Sequence, residues 1–229
     1  MTNSEPENRR ELPLFPLPVV LFPGALLPLH IFEERYKLMI HNCLDGDKQF
    51  GVVLHEPPGE IESHPPPGSI GCIAEIGLVV PLEEGKMNIL TTGVSRFRIL
   101  EFIEYEPYLI ANVELFSDEI ETDIAALESG SEKAKKLFNR ILQAARTLSD
   151  SLSQQSEVTG DPQEISFLIA SVMPIENSLK QSLLELTSTL ERLSQLNRIL
   201  KKLVGIYEHR ARIHHYSTGN GHGGKIKIE

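Results

Sequence analysis

The sequence predicts an α+β protein in which a half rich in β-strands precedes a half rich in helices. Between Leu12 and Phe116, short apolar runs are separated by turns containing proline or glycine, as is typical of antiparallel sheets and small barrels. Further along, glycine and proline become rare and apolar residues recur at helical spacing. We therefore expect a flexible leader (1–10), a β-rich subdomain (11–117), a helical subdomain (118–216) and a flexible Gly-rich tail (217–229).

The first segment of the β-rich half, Leu12 to Tyr36, is strongly apolar but carries five prolines. Proline has no backbone N–H, so it is excluded from helix interiors and from central strands. The segment is therefore predicted to form short extended pieces, and neither a membrane-spanning helix nor one long buried strand. Its sharpest turn is expected at Pro23-Gly24, because glycine tolerates the positive φ of a type II turn.

The remaining elements of this half follow from spacing and turn residues. Glu33 to Leu44 has apolar residues three and four positions apart and precedes Asp45-Gly46, which predicts a short amphipathic helix. The Pro-rich stretch from Glu56 to Gly68 is predicted to be a loop. Strands are expected at Phe50–Leu54, Ile70–Leu82, Asn88–Phe102 and Tyr108–Phe116, with a hairpin turn at Glu83–Lys86.

Four helices are predicted in the second half. The first covers Ala134 to Leu152. The second begins at Asp161, where Asp161 and Glu164 form a capping box and Pro162 takes the first helical position, and this helix ends before Pro174. A third helix begins at Asn177 or Ser178. The fourth, Thr189 to His215, could pack within its own bundle or project from it. Its apolar seam is Leu193, Leu196, Leu200, Leu203 and Tyr207.

The charge distribution narrows the classes of partner. The net charge of −10 argues against nonspecific binding to nucleic acid or to anionic membranes, which requires a basic surface. Seven Lys/Arg and two Asp/Glu follow residue 194, so this last part carries +5 and residues 1–194 carry −15. A solvated basic helix end explains this asymmetry, and a contact site is the alternative.

The chain has two cysteines, Cys43 and Cys72, and no CxxC spacing, which excludes a disulfide scaffold and a zinc ribbon. The N-terminus lacks the apolar core of a secretory signal, so we expect a cytoplasmic protein. No GxSxG elbow or Ser-Lys pair in a suitable context is present. Residues 219–225 match GxxxxGK, the pattern of a phosphate-binding loop, but Ile226 stands where that loop requires Ser or Thr. We attribute the match to the Gly-rich composition of the tail and predict no nucleotide site there.

The histidines do not predict a metal site. His209, His214 and His215 are not spaced to stack on one helical face, and a solvated helix end accounts for them. His30 is interpreted as a partly buried structural residue. We therefore predict no catalytic residue, cofactor or metal.

The run from Leu12 to Leu54 contains LPL-PL, VLFPG, PLHIFE-RY and FGVVL in that order, and it resembles the N-terminal domain of Lon, the ATP-dependent protease. The resemblance continues in GCIAEI, NILTTGVSRFRI, DPQEISFLIASVMPI, KQSLLEL and ERL, over about residues 11–210. It implies a β-rich, PUA-like pseudo-barrel followed by a helical bundle ending in a long helix, and a role in recognising protein substrates. The sequence contains neither the ATPase module nor the protease module of Lon, so the resemblance does not imply either activity.

The resemblance leads to a functional hypothesis: a non-enzymatic polypeptide-binding module, acting as an adaptor or chaperone-like factor in protein quality control. Its expected partners are unfolded or tagged polypeptides and a cytosolic protease or chaperone. The oligomeric state is not predicted. A hydrolase with an unrecognised site is the alternative, and nucleic-acid binding is disfavoured by the charge.

Five residues are candidates for contacting a polypeptide. Arg96 and Arg98 are predicted to lie on the face opposite Phe97 and Ile99, where they would bind an acidic or backbone-rich segment, with a solvated sheet edge as the alternative. The others belong to the HIFEERY motif, where fixing the start of the helix is the alternative role. They are Glu33, Arg35 and Tyr36.

Overall fold

The computed structural model describes residues 8–55, 64–149 and 158–219, and the side chains of Ser149 and residues 215–219 are not described. The chain forms two compact units. The first, called the sheet unit, comprises Met1–Ile120 and Phe167–Ser188. The second, called the helical unit, comprises Glu121–Ser166 and Thr189–Glu229.

The sheet unit contains six strands: β1 (Arg9–Leu17), β2 (Leu26–Ile31), β3 (Gln49–Leu54), β4 (Ile70–Pro81), β5 (Met87–Glu104) and β6 (Leu109–Phe116). Their order in the sheet is β2-β5-β4-β3-β1-β6, and β6 also pairs with β5. Because β5 is 18 residues long, it pairs with β2 along its first part and with β6 along its second part. Strands β4, β3, β1, β6 and β5 therefore close into a ring, as the predicted pseudo-barrel requires.

The Pro-rich run forms β1 and β2, and its prolines lie where the sheet tolerates them. Strand β1 pairs with β6 up to Leu14 and with β3 from Leu14 onward, so Pro13 and Pro16 each face a single neighbouring strand. The turn at Pro23-Gly24 is confirmed: Gly24 has a φ of 77° and the Ala25 N–H donates to the Phe22 carbonyl at 3.0 Å.

Two details of this half differ from the sequence expectation, and a third prediction lies partly outside the described residues. β1 begins at Arg9, inside the expected leader, because its first residues pair with β6, whereas residues 1–7 lie outside the described residues. β1 and β3 are parallel, while the other pairs are antiparallel. Part of the loop predicted at Glu56–Gly68, residues 56–63, also lies outside the described residues.

The barrel interior is filled by one apolar cluster centred on Phe97. Two glycines make room for its ring: a Cβ on Gly71 would lie 2.5 Å from Phe97 Cζ, and a Cβ on Gly51 would lie 2.7 Å from it. Any larger residue there would displace the ring. The cluster consists of Leu12, Leu14, Val53, Ile73, Phe97, Ile99, Ala111 and Val113.

Two helices cover the barrel within the sheet unit. Helix α1 (Glu34–Asp45) buries Tyr36, Met39, Ile40 and Cys43, the residues whose spacing predicted it. Helix α4 (Asn177–Glu185) buries Leu183 and Leu184, and its Gln181 side chain donates to the Ile70 carbonyl at 2.9 Å.

The expected division of the chain at residue 117 into one β-rich and one helical subdomain therefore differs from the structure. The sequence from Phe167 to Ser188 is helical but belongs to the sheet unit. The contacts of α4 with β4 give one reason. A second is that the rings of Phe22 and Phe167 pack 6.1 Å apart.

The helical unit contains α2 (Ile124–Ser149), the first turn of α3 (Pro162–Val172) and α5 (Thr189–Gly219). The capping box that opens α3 is confirmed: Glu164 N–H donates to Asp161 Oδ1 at 2.9 Å, and Asp161 N–H donates to Glu164 Oε2 at 3.1 Å. Helix α2 begins ten residues earlier than Ala134, because Asp123 accepts from the Ala126 N–H and caps it.

Helices α2 and α5 pack side by side and run in the same direction. The Asn197 side chain donates to the Gly130 carbonyl at 2.9 Å, and near the far ends Arg140 binds Glu208, at a similar offset in sequence. The long helix therefore packs along a partner in its own unit. Of its predicted seam, Leu193, Leu196 and Leu200 are buried, but Leu203 and Tyr207 are only half-buried because Val204 takes the inner position.

Candidate functional site

The sheet unit carries a small three-stranded sheet that extends beyond the barrel. Strand β4 pairs with β3 only as far as Glu75, and from Leu78 to Pro81 its pairing partner among the described residues is β5 alone. On the other side of β5, β2 pairs with residues 87–92. The outer edge of β4 from Gly77 to Pro81 thus has no neighbouring strand in the described part of the chain.

One face of this extension is exposed and mostly apolar. Residues directly opposite each other in antiparallel strands share a face, and the rows Leu78–Leu90–Pro28 and Val80–Asn88–His30 therefore lie together. We call this surface the apolar face. It consists of Leu26, Pro28, His30, Leu78, Val80, Asn88, Leu90 and Thr92. The exposed Glu75 lies opposite Thr92 and forms a charged border of the same face.

The leucine and valine side chains of the apolar face are unusually exposed for apolar residues. Leu26, Leu78 and Val80 are 65%, 56% and 44% exposed, whereas Met87 and Ile89, on the opposite face, are buried. Its imidazole and its amide bind each other, since His30 Nδ1 lies 2.7 Å from Asn88 Oδ1. A contiguous apolar surface of this kind commonly marks a contact site.

The chemistry that the apolar face offers is burial of apolar side chains together with backbone pairing. Covering apolar surface contributes roughly 25 cal/mol per Å² removed from water. The free N–H and C=O groups along the β4 edge allow an extended peptide to add as a further strand, with its alternate side chains on the apolar face. This arrangement is chemically suited to an extended apolar segment, and backbone pairing requires no particular sequence.

A second concave region of the sheet unit holds two of the residues predicted from the sequence. It is a cleft of about 550 Å³ lined by Arg35, Tyr36 and eight other residues. The Tyr36 ring stacks on Phe15 at 4.0 Å, and the Arg35 guanidinium carbon lies 4.5 Å from the Tyr36 ring centre. Burial raises the pKa of Tyr36, partly opposed by the charge of Arg35, so its hydroxyl remains a neutral donor.

Glu33 adjoins this cleft and acts on the start of α1. Its carbonyl accepts from the N–H groups of Tyr36 at 3.0 Å and Lys37 at 2.9 Å, and its carboxylate accepts from Arg35 Nε at 2.9 Å. These contacts agree with the alternative role of fixing the helix start. Contact of Glu33, Arg35 and Tyr36 with a polypeptide stays a prediction.

The structure corrects the expectation for Arg96. Its side chain is 2% exposed and donates to the carbonyls of Leu184 at 2.8 Å and Leu186 at 2.5 Å, and it forms an ion pair with the buried Asp118. The guanidinium also lies 4.5 Å from the Phe116 ring centre. Arg96 therefore binds a backbone segment of its own chain and cannot be the surface contact that the sequence predicted.

A bulge in β5 explains why simple alternation failed at this position. Ala74 pairs with Gly93 but Cys72 pairs with Arg96, so β5 has one extra residue here. Arg96 and Phe97 are both buried as a result. Arg98 is exposed, as predicted, with its guanidinium carbon 5.9 Å from the Phe116 ring centre, and its role in binding stays a prediction.

The apolar face was missed by the sequence reasoning, although a signal was present. Residues 78–82 are apolar at every position, whereas a strand with one solvated face normally alternates apolar and polar residues. An uninterrupted run indicates a strand apolar on both faces. Only the strand pairing shows that one of those faces lacks a covering element among the described residues.

The described residues offer little for catalysis. Burial raises the pKa of the Cys43 and Cys72 thiols to about 12, so neither forms a reactive thiolate near neutral pH. No group of three or more His, Cys, Asp or Glu side chains within residues 8–55, 64–149 and 158–219 is placed to hold a metal ion. None of the helices in this part of the chain is both long and apolar enough to span a membrane.

Comparison with solved structures supports the fold. The Lon N-terminal domain protein from Xanthomonas campestris superposes with a TM-score of 0.55 at 23% identity, over 82% of this chain and 96% of that chain. The N-terminal domain of Mycobacterium avium complex Lon protease gives a TM-score of 0.58 at 17% identity, over 86% of this chain and 98% of that one.

Comparison with curated sequences gives relatives named as Lon proteases. The chain is 30% identical over 221 residues to the Lon protease of Koribacter versatilis, covering 92% of this chain and 27% of that protein. It is 29% identical over 201 residues to Lon protease 2 of Herpetosiphon aurantiacus, covering 86% of this chain and 24% of that protein. The chain thus spans about a quarter of the length of these relatives.

The match to a family model covers most of the chain. The model of the ATP-dependent protease La (LON) substrate-binding domain matches residues 11–202, which include the six-stranded sheet, α1 to α4 and the first part of α5. The protein therefore belongs to the family of the Lon substrate-binding domain.

Proposed function

We propose that this protein binds unfolded or tagged polypeptides without catalysing a reaction, as an adaptor or chaperone-like factor in cytoplasmic protein quality control. Membership of the Lon substrate-binding family supports a polypeptide as the ligand. The observation that carries the proposal is the apolar face, because it exposes leucine and valine on a sheet that also has a free edge.

In the proposed mode of binding, an extended segment of the client pairs with the β4 edge from Gly77 to Pro81. Its backbone groups satisfy those of the edge, and its apolar side chains cover Leu78 and Val80. Leu78, Val80 and Leu90 lie side by side on the face, so binding depends mainly on apolar burial and not on the sequence of the client. Folded proteins bury such segments, which gives selectivity for the unfolded state.

The proposed partners are the client and a cytosolic protease or chaperone that receives it. A hydrolase with an unrecognised site is not favoured. The matched family is a substrate-binding domain, and both thiols are buried with a pKa of about 12.

The test measures the affinity for a fluorescent, permanently unfolded casein-like polypeptide by anisotropy. We expect the double change Leu78→Glu and Val80→Glu to weaken binding by about tenfold or more, because a carboxylate would have to be desolvated under the client. Ile103→Glu is the matched control, since Ile103 is 41% exposed on the same sheet but near the far end of β5.

The control and double variants should show the same circular dichroism spectrum and unfolding midpoint as the original protein within experimental error. Equal affinity in the original protein and in the double variant would contradict the proposal. So would an equal loss of affinity in the Ile103→Glu control.

A further inference from the structure

The helical unit carries a groove along one side of the α2–α5 pair. Its first section has a volume of about 480 Å³ and its lining includes Lys133, Arg198 and Lys201. Its second section has a volume of about 400 Å³ and its lining includes Arg140 and Arg212. Both sections lie wholly within the helical unit.

The two sections follow the same face of each helix. On α5, Asn197 and Lys201 line the first section and Glu208 and Arg212 line the second, at spacings of four, seven and four residues. Such spacings return to the same side of an α-helix. The groove therefore runs from Leu190 to Arg212, a length of about 33 Å at 1.5 Å per residue. We call it the α2–α5 groove.

The α2–α5 groove is basic and mostly unneutralised. Lys133, Arg198, Lys201 and Arg212 line it and form no ion pair or hydrogen bond with any residue that the structure describes. Its single acidic side chain, Glu208, is already engaged by Arg140 through Nε at 3.0 Å and Nη2 at 2.8 Å. Three of these cations lie along α5 and Lys133 lies on α2, so an anionic occupant of the groove would be attracted by both helices.

The charge of this region contrasts with the rest of the chain. Residues 131–149 and 195–219 together contain ten Lys/Arg and two Asp/Glu, a net charge of +8. The whole chain carries −10, so the remaining residues carry −18. The basic charge is therefore concentrated on the helices that form the groove.

The floor of the groove is made of small residues and contains an unsatisfied polar atom. Gly130, Ser194 and Ala144 line it, which allows a helix backbone to approach closely. Asn197 is 7% exposed, and its Oδ1 has no hydrogen-bond partner among the described residues.

The lining favours a polypeptide over a single-stranded nucleic acid. Proteins that bind single strands stack the bases on aromatic side chains, and none of the residues that line either section is aromatic. A shallow groove between two parallel helices instead matches the surface of a third helix.

We propose that the α2–α5 groove binds an acidic helical segment of a partner protein. The segment lies along the groove as a third helix, and its carboxylates pair with Lys133, Arg198, Lys201 and Arg212. This inference goes beyond the proposed function, because both the surface and the chemistry of the occupant differ from those of the apolar face.

The test uses a fluorescent peptide of about 20 residues, long enough to occupy most of the groove. The peptide is Ala-rich and helical, with glutamates three or four residues apart, and a second peptide carries glutamine in their place. We expect the acidic peptide to bind and the glutamine peptide to bind at least about tenfold more weakly. Equal binding of the two peptides would overturn the proposal.

Two variants locate the contact. Lys201→Glu should weaken binding of the acidic peptide by about tenfold, since it places a like charge in the groove. Lys202→Glu makes the same charge change on the neighbouring residue, which is exposed but does not line the groove, and should have an effect of about twofold or less. Similar losses in the two variants would overturn the proposal.

A third variant blocks the groove without changing its charge. Gly205 lies four residues after Lys201 and seven before Arg212, and a Cβ there meets no atom within 4 Å. Gly205→Leu favours the helix and should abolish peptide binding while circular dichroism stays unchanged. Unaltered peptide binding in this variant would contradict the proposed occupant.

Two further measurements separate this proposal from its competitors. A single-stranded oligonucleotide that bound more tightly than the acidic peptide, and lost affinity in Lys201→Glu, would replace the helical partner with a nucleic acid. The Leu78→Glu change should leave binding of the acidic peptide intact. Its loss there would overturn the assignment to the groove, whereas failure of casein binding alone concerns only the proposed function.

Discussion

The two units of this protein expose surfaces of opposite character. The sheet unit presents the apolar face, which is mostly apolar with Glu75 at its border, and the helical unit presents the α2–α5 groove, with four unpaired cations among the described residues. The first surface is suited to apolar burial and backbone pairing, and the second to electrostatic attraction. Under the two proposals, the chain binds two ligands of unlike chemistry at separate surfaces.

Each unit contains a buried cation. In the helical unit, Arg192 is fully buried and its Nε donates to Ser166 Oγ at 2.8 Å. In the sheet unit, Arg96 binds the carbonyls at the end of α4 and pairs with Asp118. A buried ion pair is costly to break on one side, because the remaining charge is left without a partner.

The largest expected effect is the loss of this buried cation. Arg96→Ala removes the guanidinium that binds Asp118 and the carbonyls of Leu184 and Leu186, and should lower the free energy of unfolding by about 3–5 kcal/mol. Arg98→Ala, on the exposed neighbour, should change it by less than about 0.5 kcal/mol. Urea unfolding followed by circular dichroism measures both, and similar values for the two variants would contradict the role of Arg96.

A smaller effect is expected from the seam of the helical unit. Leu200 is fully buried and Leu203 is half-buried, although the sequence predicts both as seam residues. Leu200→Ala should lower the free energy of unfolding by about 2–5 kcal/mol through the cavity it leaves. Leu203→Ala should cost less than about 1.5 kcal/mol. An equal loss of unfolding free energy in the two variants would show that Leu203, and not Val204, occupies the inner position.

The smallest expected effect is the difference in salt dependence between ligand binding at the two surfaces. Raising the ionic strength from about 0.05 M to about 0.3 M should weaken binding of the acidic peptide by about tenfold, because salt screens its exposed charges. The same change should alter the affinity for unfolded casein by less than about twofold, since apolar burial is not screened. Titrations at the two salt concentrations measure both, and parallel salt dependence would mean that the surfaces share one mechanism.

Local signals explain which parts of the fold were predictable. Two confirmed predictions depend on residues that are close in sequence. They are the capping box of Asp161 and Glu164, and helix α1, which follows from the spacing of Tyr36, Met39 and Ile40. Non-local features were not predicted. The parallel pairing of β1 with β3 joins residues about 37 positions apart, and no local pattern records it.

Two further predictions were wrong because they also depend on contacts that are distant in sequence. The sequence predicts a start of α2 at Ala134 from its apolar stripe, and the weak helix formers Ser129, Gly130 and Ser131 lie just before that stripe. In the structure, Gly130 lies against Leu193 of α5 and binds Asn197, so packing outweighs propensity. The bulge that buries Arg96 likewise depends on how β5 pairs with β4 and is not visible in the alternation of β5 alone.

The most direct test of the central claim is photo-crosslinking from the apolar face. A photoreactive phenylalanine analogue at Leu78, and at Ile103 as the control, is irradiated with fluorescent unfolded casein. We expect crosslinks from position 78 that excess unlabelled unfolded casein suppresses and the acidic peptide does not, with few from position 103. Equal yields at the two positions, or yields at 103 alone, would contradict it.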